Sequence, residues 1–273
     1  MKVFFIILVL LAWNITSEAS QLSVVTYNVW FDSASSEQRL PELLNTVAEK
    51  KADIIAFQEV ESWFVSALEK DERFKQYKFV VEKGWFDSVK GGLLILSKRK
   101  IIQQNYLELP SYMSRGLLYF VTNIEGVKHC FATVHLESML EDTEIRINQL
   151  KFIFGQLSQC NNTVLLGDFN FGDGELENKE ITTDFIDIWK QLKPQQNGYT
   201  WDINQSDLAR RNSLPLEKSR RLDRVYVQSK VLKPYLIELI AKLLGYRYHR
   251  EFLRHQSRFV WWQICQYCYW EIR

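Results

Sequence analysis

Three things are scarce in this sequence: cysteine, net charge and long apolar runs. Four cysteines in 273 residues, at Cys130, Cys160, Cys265 and Cys268, exclude the dense disulfide framework of a small secreted domain. Cys130 lies in an apolar strand-like run and Cys160 just before another, so a buried thiol pair and a single bridge both stay open. Cys265 and Cys268 form one isolated Cys-x-x-Cys, a weak zinc signal without a second pair. A formal net charge of +1 gives no global field, so a polyanion would have to be held by local clusters of Arg and Lys. Internal repeats and low-complexity segments are also missing, which excludes solenoids and disordered arrays.

The one conspicuous apolar run, Val3 to Trp13, falls short of the roughly 20 residues a membrane span needs. It follows a single lysine and leads into polar residues, with Ser17 and Ala19 small at the spacing a signal peptidase reads. The pattern predicts a signal peptide over 1–19, cleaved after Ala19, and a secretory route with no membrane attachment afterwards. An uncleaved anchor is the alternative reading. Asn161 and Asn204 open Asn-x-Ser/Thr triplets compatible with secretion.

What is present suits a packed core. A composition 47% hydrophobic and 25% charged is ordinary for a globular chain, and the length suits one large domain. Strand-like runs recur, among them LSVVTYNVWF, ADIIAFQEV, GGLLILSKRKII, KHCFATVHL, TVLLGDFNF and RLDRVYVQS. Helical periodicity appears between some of them. Leu40, Leu43, Leu44, Val47 and Ala48 share one face behind a possible cap at Ser36, and Ile147, Leu150, Phe154 and Leu157 share another after Thr143. Strands in series with intervening helices predict helices packed on sheets, an α/β or α+β layered domain over 20–240. Residues 241–273 read as a separate basic and aromatic tail.

Four apolar runs each release a polar, metal-grade or proton-transfer group at their C-terminal ends: Asn28, Glu59, His135 with Glu137, and Asp168 with Asn170. Side chains alternate along a strand, so Asp168 and Asn170 are expected on one side. One such end is a turn, whereas several on neighbouring strands would converge on one rim. Glu59 and Asp168 with amide oxygens make a hard-oxygen environment suited to Mg²⁺ or Mn²⁺. Such an ion polarises a phosphoryl oxygen while a carboxylate activates water, the chemistry of phosphoester hydrolysis. His135 alone also fits a structural role.

The motifs TYNVWF, QEV, MSRGLL, HLES, GDFN, YTWD and RLDRVYV, in that order from about Gln21 to Ile240, resemble the endonuclease/exonuclease/phosphatase superfamily, and within it the tyrosyl-DNA phosphodiesterase 2 branch. The resemblance implies a four-layered α/β sandwich, two packed mixed β-sheets flanked by helices, with the site at one end. Carried over residue by residue, it implies Glu59 as the main Mg²⁺ ligand supported by Asn28, Asp168 orienting or activating water, and Asn170 holding the phosphoryl group. Arg115, His135 and Ser138 would line the substrate channel, and Trp201 would contact substrate or pack in the core. The implied partner is a DNA end carrying a 5′-phosphotyrosyl adduct, met by a monomer, and the implied location is nuclear, against the secretory pattern of the N-terminus. Arg210, Arg211, Lys218, Arg220, Arg221 and Arg224 around Asp223 could meet backbone phosphates, or form a solvated loop.

The resemblance fails at one place. The family ends with Ser-Asp-His, and this chain has no such triplet; Asp223, which the wider superfamily uses to orient that histidine, lacks its partner, and His249 and His255 are the only substitutes. Impaired hydrolysis is expected, and so is loss of the last strand of one sheet. Two other readings stay open: a secreted nuclease or phosphodiesterase on the same fold, and a catalytically silent binder of nucleic acid or phosphate.

Overall fold

Several strands of this chain are apolar on both faces, so each sheet needs cover on both sides, and the fold supplies it in four layers. The computed structural model describes residues 21–31, 36–81, 91–215, 217–240 and 265–272. The signal peptide over 1–19, the Ser36 side chain, His249 and His255 lie outside the described residues. The chain runs through β1 (Gln21–Asn28), α1 (Ser36–Lys50), β2 (Ile54–Val60), α2 (Ser62–Lys70), β3 (Lys78–Val80), β4 (Gly92–Ser97), β5 (Gln103–Glu108), β6 (Gly116–Ile124) and β7 (Val127–His135). It continues through α3 (Thr143–Leu157), β8 (Thr163–Asp168), β9 (Ile186–Asp187), α4 (Ile188–Leu192), α5 (Asp207–Asn212), β10 (Asp223–Gln228), β11 (Leu232–Ile240) and β12 (Cys265–Ile272). No helix among them is long and apolar enough to cross a membrane.

Two six-stranded sheets form, in the orders β11-β12-β1-β2-β4-β3 and β5-β6-β7-β8-β10-β9. Each is antiparallel apart from one parallel pair at its centre, β1 with β2 and β7 with β8. Alternating residues from both sheets, Val24, Ile54, Phe131, Val164 and Val225 among them, fill the layer between them. The opposite face of the first sheet is covered by α1 and α2 through Leu43, Val47, Phe64 and Leu68. The opposite face of the second is covered by α3 through Leu150, Ile153, Phe154 and Leu157. Each large side chain buried in this way contributes about 1.5–3 kcal/mol. The four-layered sandwich is therefore the observed fold.

The tail corrects one expectation. The last strand is not lost with the family motif: β12 lies between β11 and β1, pairing Ile240 with Cys265 and Gln21 with Glu271.

Parallel pairing of β7 and β8 brings their backbones unusually close at one point. Gly167 has φ +146°, and a Cβ there would stand 2.1 Å from the Val134 carbonyl oxygen. Only glycine fits immediately before Asp168. Cys130 and Cys160 form a disulfide from β7 to the turn before β8, which settles the choice between thiols and a bridge.

Candidate active site

The two parallel pairs end at the same rim. Register places Asn28 beside Gln58, His135 beside Asp168, and Asp223 across from Asp168. Below the rim the inner faces carry a polar step: the buried Gln58 amide donates to Thr26 Oγ1 at 3.1 Å and Thr133 Oγ1 at 2.9 Å, joining β1 and β2 to β7 in the other sheet. Two residues further on, alternation brings Asn28 and His135 to the end of the same column, as it brings Asp168 and Asp223 above Leu166 and Val225.

Glu59 breaks the alternation. With Gln58 facing inward, the next side chain should face α1 and α2. A register shift between Phe57 and Val60 and a φ of 57° at Glu59 redirect it to the rim. Six non-glycine residues have positive φ among the described residues, and Trp30, Glu59, Ser114 and Asn170 are four of them, all in rim loops or at strand ends. Such backbones cost of order 1–3 kcal/mol each and persist only where surrounding contacts enforce them. The contacts are visible: Asn28 Oδ1 accepts from Trp30 N at 3.0 Å, and Asp168 Oδ1 accepts from Asn170 N at 3.0 Å. The same short turn thus closes one central strand in each sheet.

Asn28 Nδ2 donates to both Glu59 Oε1 and Asp168 Oδ2, each at 2.9 Å, and Glu59 Oε2 accepts from Phe31 N at 3.0 Å. Burial raises the Glu59 and Asp168 carboxyls above the ordinary range, with the hydrogen bonds from Asn28 partly opposing it. Burial and then the neighbouring Asp168 push Asp223 well above that range. His135 is pushed well below its usual value, first by burial and then by Arg115. Arg115 Nη1 lies 2.8 Å from His135 Nδ1. A guanidinium can only donate, so Nδ1 accepts and the ring proton is assigned to Nε2, which lies 3.7 Å from Glu59 Oε1 and 3.8 Å from Asp168 Oδ2.

Arg115 Nη2 donates to Ser138 Oγ at 2.7 Å, and Asn170 Nδ2 donates to the same oxygen at 3.1 Å and to Leu136 O at 2.9 Å. The turn carrying Ser138 is fixed from below by Arg146, a buried α3 residue that donates to the carbonyls of Glu137, Met139 and Leu140. Trp201 pairs with Arg220 through the backbone. Its neighbour Thr200 accepts from the backbone N–H groups of Leu222 and Asp223, both at 3.0 Å, and Arg220 reaches Asn170 O at 3.5 Å. The Trp201 Nε1–H is buried with no acceptor among the described residues.

Asn28, Glu59, Arg115, His135, Ser138, Asp168, Asn170 and Asp223 are thus linked by contact or register at one rim, with Trp201 joined through its neighbours. The basic cluster needs correction: Arg221 and Arg224 are fully buried. Arg221 bonds Asp173 and Asp187, and Arg224 bonds Asp173 and the Phe171 carbonyl, so neither faces a phosphate. Gln58, Arg146 and Gln149 escaped the sequence reading, because a polar residue on an otherwise apolar strand or helix face carries no spacing signal.

Among the described residues, no group of three or more His, Cys, Asp and Glu could by itself hold a metal ion. The donor set still suits a hard divalent cation that keeps several waters: Glu59, Asp168 and Asp223 are carboxylates gathered where burial disfavours their charge.

Residues 25–240 match the Endonuclease/Exonuclease/phosphatase family. The chain is similar to tyrosyl-DNA phosphodiesterase 2 of Rattus norvegicus, 28% identical over 237 residues, which cover 84% of this chain and 62% of that protein. It is also similar to the Homo sapiens protein of the same name, 29% identical over 240 residues, covering 83% and 63%. The chain thus spans under two thirds of the length of these relatives. The crystal structure of D. rerio TDP2 complexed with single strand DNA product superposes with a TM-score of 0.76 at 24% identity, covering 92% of this chain and 99% of that one. The human Nocturnin catalytic domain with bound sulfate anion gives 0.68 at 15% identity, covering 93% and 94%.

Proposed function

The chain belongs to the endonuclease/exonuclease/phosphatase family, and from that premise we propose that it is a divalent-metal-dependent phosphodiesterase that hydrolyses 5′-phosphotyrosyl bonds at DNA ends. The observation that carries the reading is the single amide of Asn28 bridging Glu59 and Asp168 from opposed sheets, with Arg115 and His135 alongside. Glu59, supported by Asn28, would hold Mg²⁺ or Mn²⁺, which when bound would polarise the phosphoryl group and stabilise the departing oxygen. Asp168, whose pKa burial raises, accepts the proton of an attacking water as the water oxygen bonds to phosphorus. Asn170 and Arg115 hold phosphoryl oxygens as charge builds. His135 presents its Nε2–H to the same group, Ser138 fixes Arg115 and Asn170, and the Trp201 ring contacts the substrate or packs beside the site. Asp223 adds a third carboxylate favouring a cation.

The missing Ser-Asp-His motif supports reduced turnover and bears on the substrate. The tyrosyl oxygen leaves with the P–O bonding pair, and a phenol of pKa about 10 needs little help from an acid. A sugar hydroxyl is a poorer leaving group, so a site without a dedicated acid favours a tyrosyl ester over plain DNA.

A second reading, a nuclease or phosphodiesterase working in the secretory pathway, is favoured by the Cys130–Cys160 disulfide, since such bonds persist in oxidising compartments. The test is hydrolysis by the full chain with Mg²⁺ of a 5′-tyrosyl oligonucleotide and of the unmodified strand, with Asp168→Ala as control. Release of tyrosine dependent on Asp168 supports the first reading, and cleavage of the plain strand alone supports the second. No hydrolysis by folded protein overturns both in favour of a silent binder.

A further inference from the structure

Glu137 is a fully buried carboxylate that the proposed chemistry leaves idle. Its Oε2 accepts from Ser111 Oγ at 2.6 Å and from Gln149 Nε2 at 3.3 Å, and its Oε1 accepts from Tyr112 N at 3.0 Å. Ser111 Oγ, having donated to Glu137, accepts from Met113 N at 2.9 Å and Arg115 N at 3.0 Å. Gln149 completes the anchor, donating to Pro110 O at 2.9 Å and accepting from Glu137 N at 3.1 Å. The segment 110–115 has no regular secondary structure, and Ser114 within it has φ 56°. Leu109 N donates to Arg115 O at 2.9 Å and closes the loop at its base; between its ends the backbone is held by the Glu137 carboxylate and by the serine that carries its influence onward. At the end of that relay stands Arg115, whose buried Nε has no acceptor among the described residues.

We propose that Glu137 is a positioning residue: through Ser111 it holds the 110–115 loop so that the Arg115 guanidinium stays against His135 and Ser138, poised to receive a phosphate oxygen. The inference rests on the reading of Arg115 as a phosphate contact. An isosteric Glu137→Gln keeps the volume and removes one acceptor, so an amide N–H must face either the Tyr112 N–H or the Ser111 hydroxyl. The loop then loses its common anchor, although the core beneath keeps its shape.

The test is a double-mutant cycle on binding. A fluorescent 5′-phosphorylated single-stranded oligonucleotide is titrated in EDTA, at several salt concentrations, against the wild-type chain, Arg115→Ala, Glu137→Gln and the double variant, with Ser111→Ala as a second way to cut the relay. Arg115→Ala is expected to weaken binding about tenfold, as loss of a charge-assisted contact does, and to flatten the salt dependence by about 0.7 in log–log slope, the value for one phosphate contact on a single strand. Glu137→Gln and Ser111→Ala are expected to weaken binding about three- to tenfold with the same flattening, and the double variant to bind no more weakly than Arg115→Ala. A purely structural Glu137 would lower the melting temperature and leave affinity and salt slope unchanged; that outcome, or additive losses in the double variant, overturns the proposal. Wild-type binding by Arg115→Ala removes the underlying reading as well, which separates the two failures.

Discussion

The amide of Asn28 and the carboxylate of Asp168 meet at 2.9 Å although 140 residues and two different sheets separate them. Because the same nitrogen also serves Glu59, the relationship of the two sheets sets the geometry of both carboxylates at once.

Asn28→Ala removes that shared donor. Glu59 and Asp168 then share only the more distant His135 Nε2, at 3.7 and 3.8 Å, and turnover should fall by 100-fold or more, the order seen when one preorganised polar group is lost, roughly 10²–10³. Steady-state kinetics on a 5′-tyrosyl oligonucleotide measure it. A variant within threefold of wild type would show that the bridge is incidental.

Asp223→Asn should stabilise the metal-free protein at neutral pH. Burial and Asp168 raise the Asp223 pKa in the folded state, so the unfolded chain gives up this proton first as pH rises above about 4, and the wild type loses stability between there and the folded pKa. Melting curves in EDTA should show the variant above wild type at pH 7–8, with the gap closing toward pH 4. Added Mg²⁺ should raise the wild-type curve more than the variant's. A variant less stable at every pH would contradict this account.

Reduction of the Cys130–Cys160 bridge should cost about 3–4 kcal/mol by the loop-closure relation, since 30 residues separate its ends. Melting with and without reductant, with Cys130→Ser as control, provides the comparison. The reduced wild type and the variant should melt together.

Arg221→Met should be among the most damaging changes outside the rim. Arg221 is fully buried between Asp173 and Asp187. Although burial alone would raise the Asp173 carboxyl, its bond to Arg221 and the nearby Arg224 bring it down to about 2. Removing one partner of a buried pair costs roughly 3–5 kcal/mol, measurable by urea unfolding. A loss under 1 kcal/mol would mean that Arg224 and Lys190 suffice for the two carboxylates.

Much of the rim was legible in the sequence because strand ends obey a period of two. Asp168 follows from alternation at the end of β8, and the apolar runs that end in polar groups meet on one edge, but Asn170 lies beyond the strand in a turn with φ 53° that alternation does not reach. Glu59 does not follow either: alternation from Gln58 puts it on the wrong face, and only the backbone irregularity at Glu59 returns it. Its position at the end of an apolar run, rather than any period, marks it in the sequence, and the motif resemblance points to it a second time. The sequence around Arg221 and Arg224 suggests phosphate contacts or a solvated loop because a run of arginines gives no hint of the aspartates that pair with it, which lie 34 to 51 residues away. Gln149 and Arg146 sit on the helical face that the apolar spacing assigned to the core; both are buried there, satisfied by loop carbonyls and carboxylates that one helix cannot announce. The tail, aromatic and basic, carried none of the turn signals that mark a strand in sequence.

The placement of β12 makes the first sheet a clasp. Its two neighbours, β1 and β11, each have one edge that only this strand satisfies, and β1 is the strand that delivers Asn28. Until β12 docks, the chain exposes two open strand edges, the kind of surface that recruits other copies. Pairing β1 with β12 joins residues far apart in sequence, the kind of contact that slows folding. The strand edges that β12 covers thus belong to the same sheet that delivers Asn28 and Glu59 to the rim.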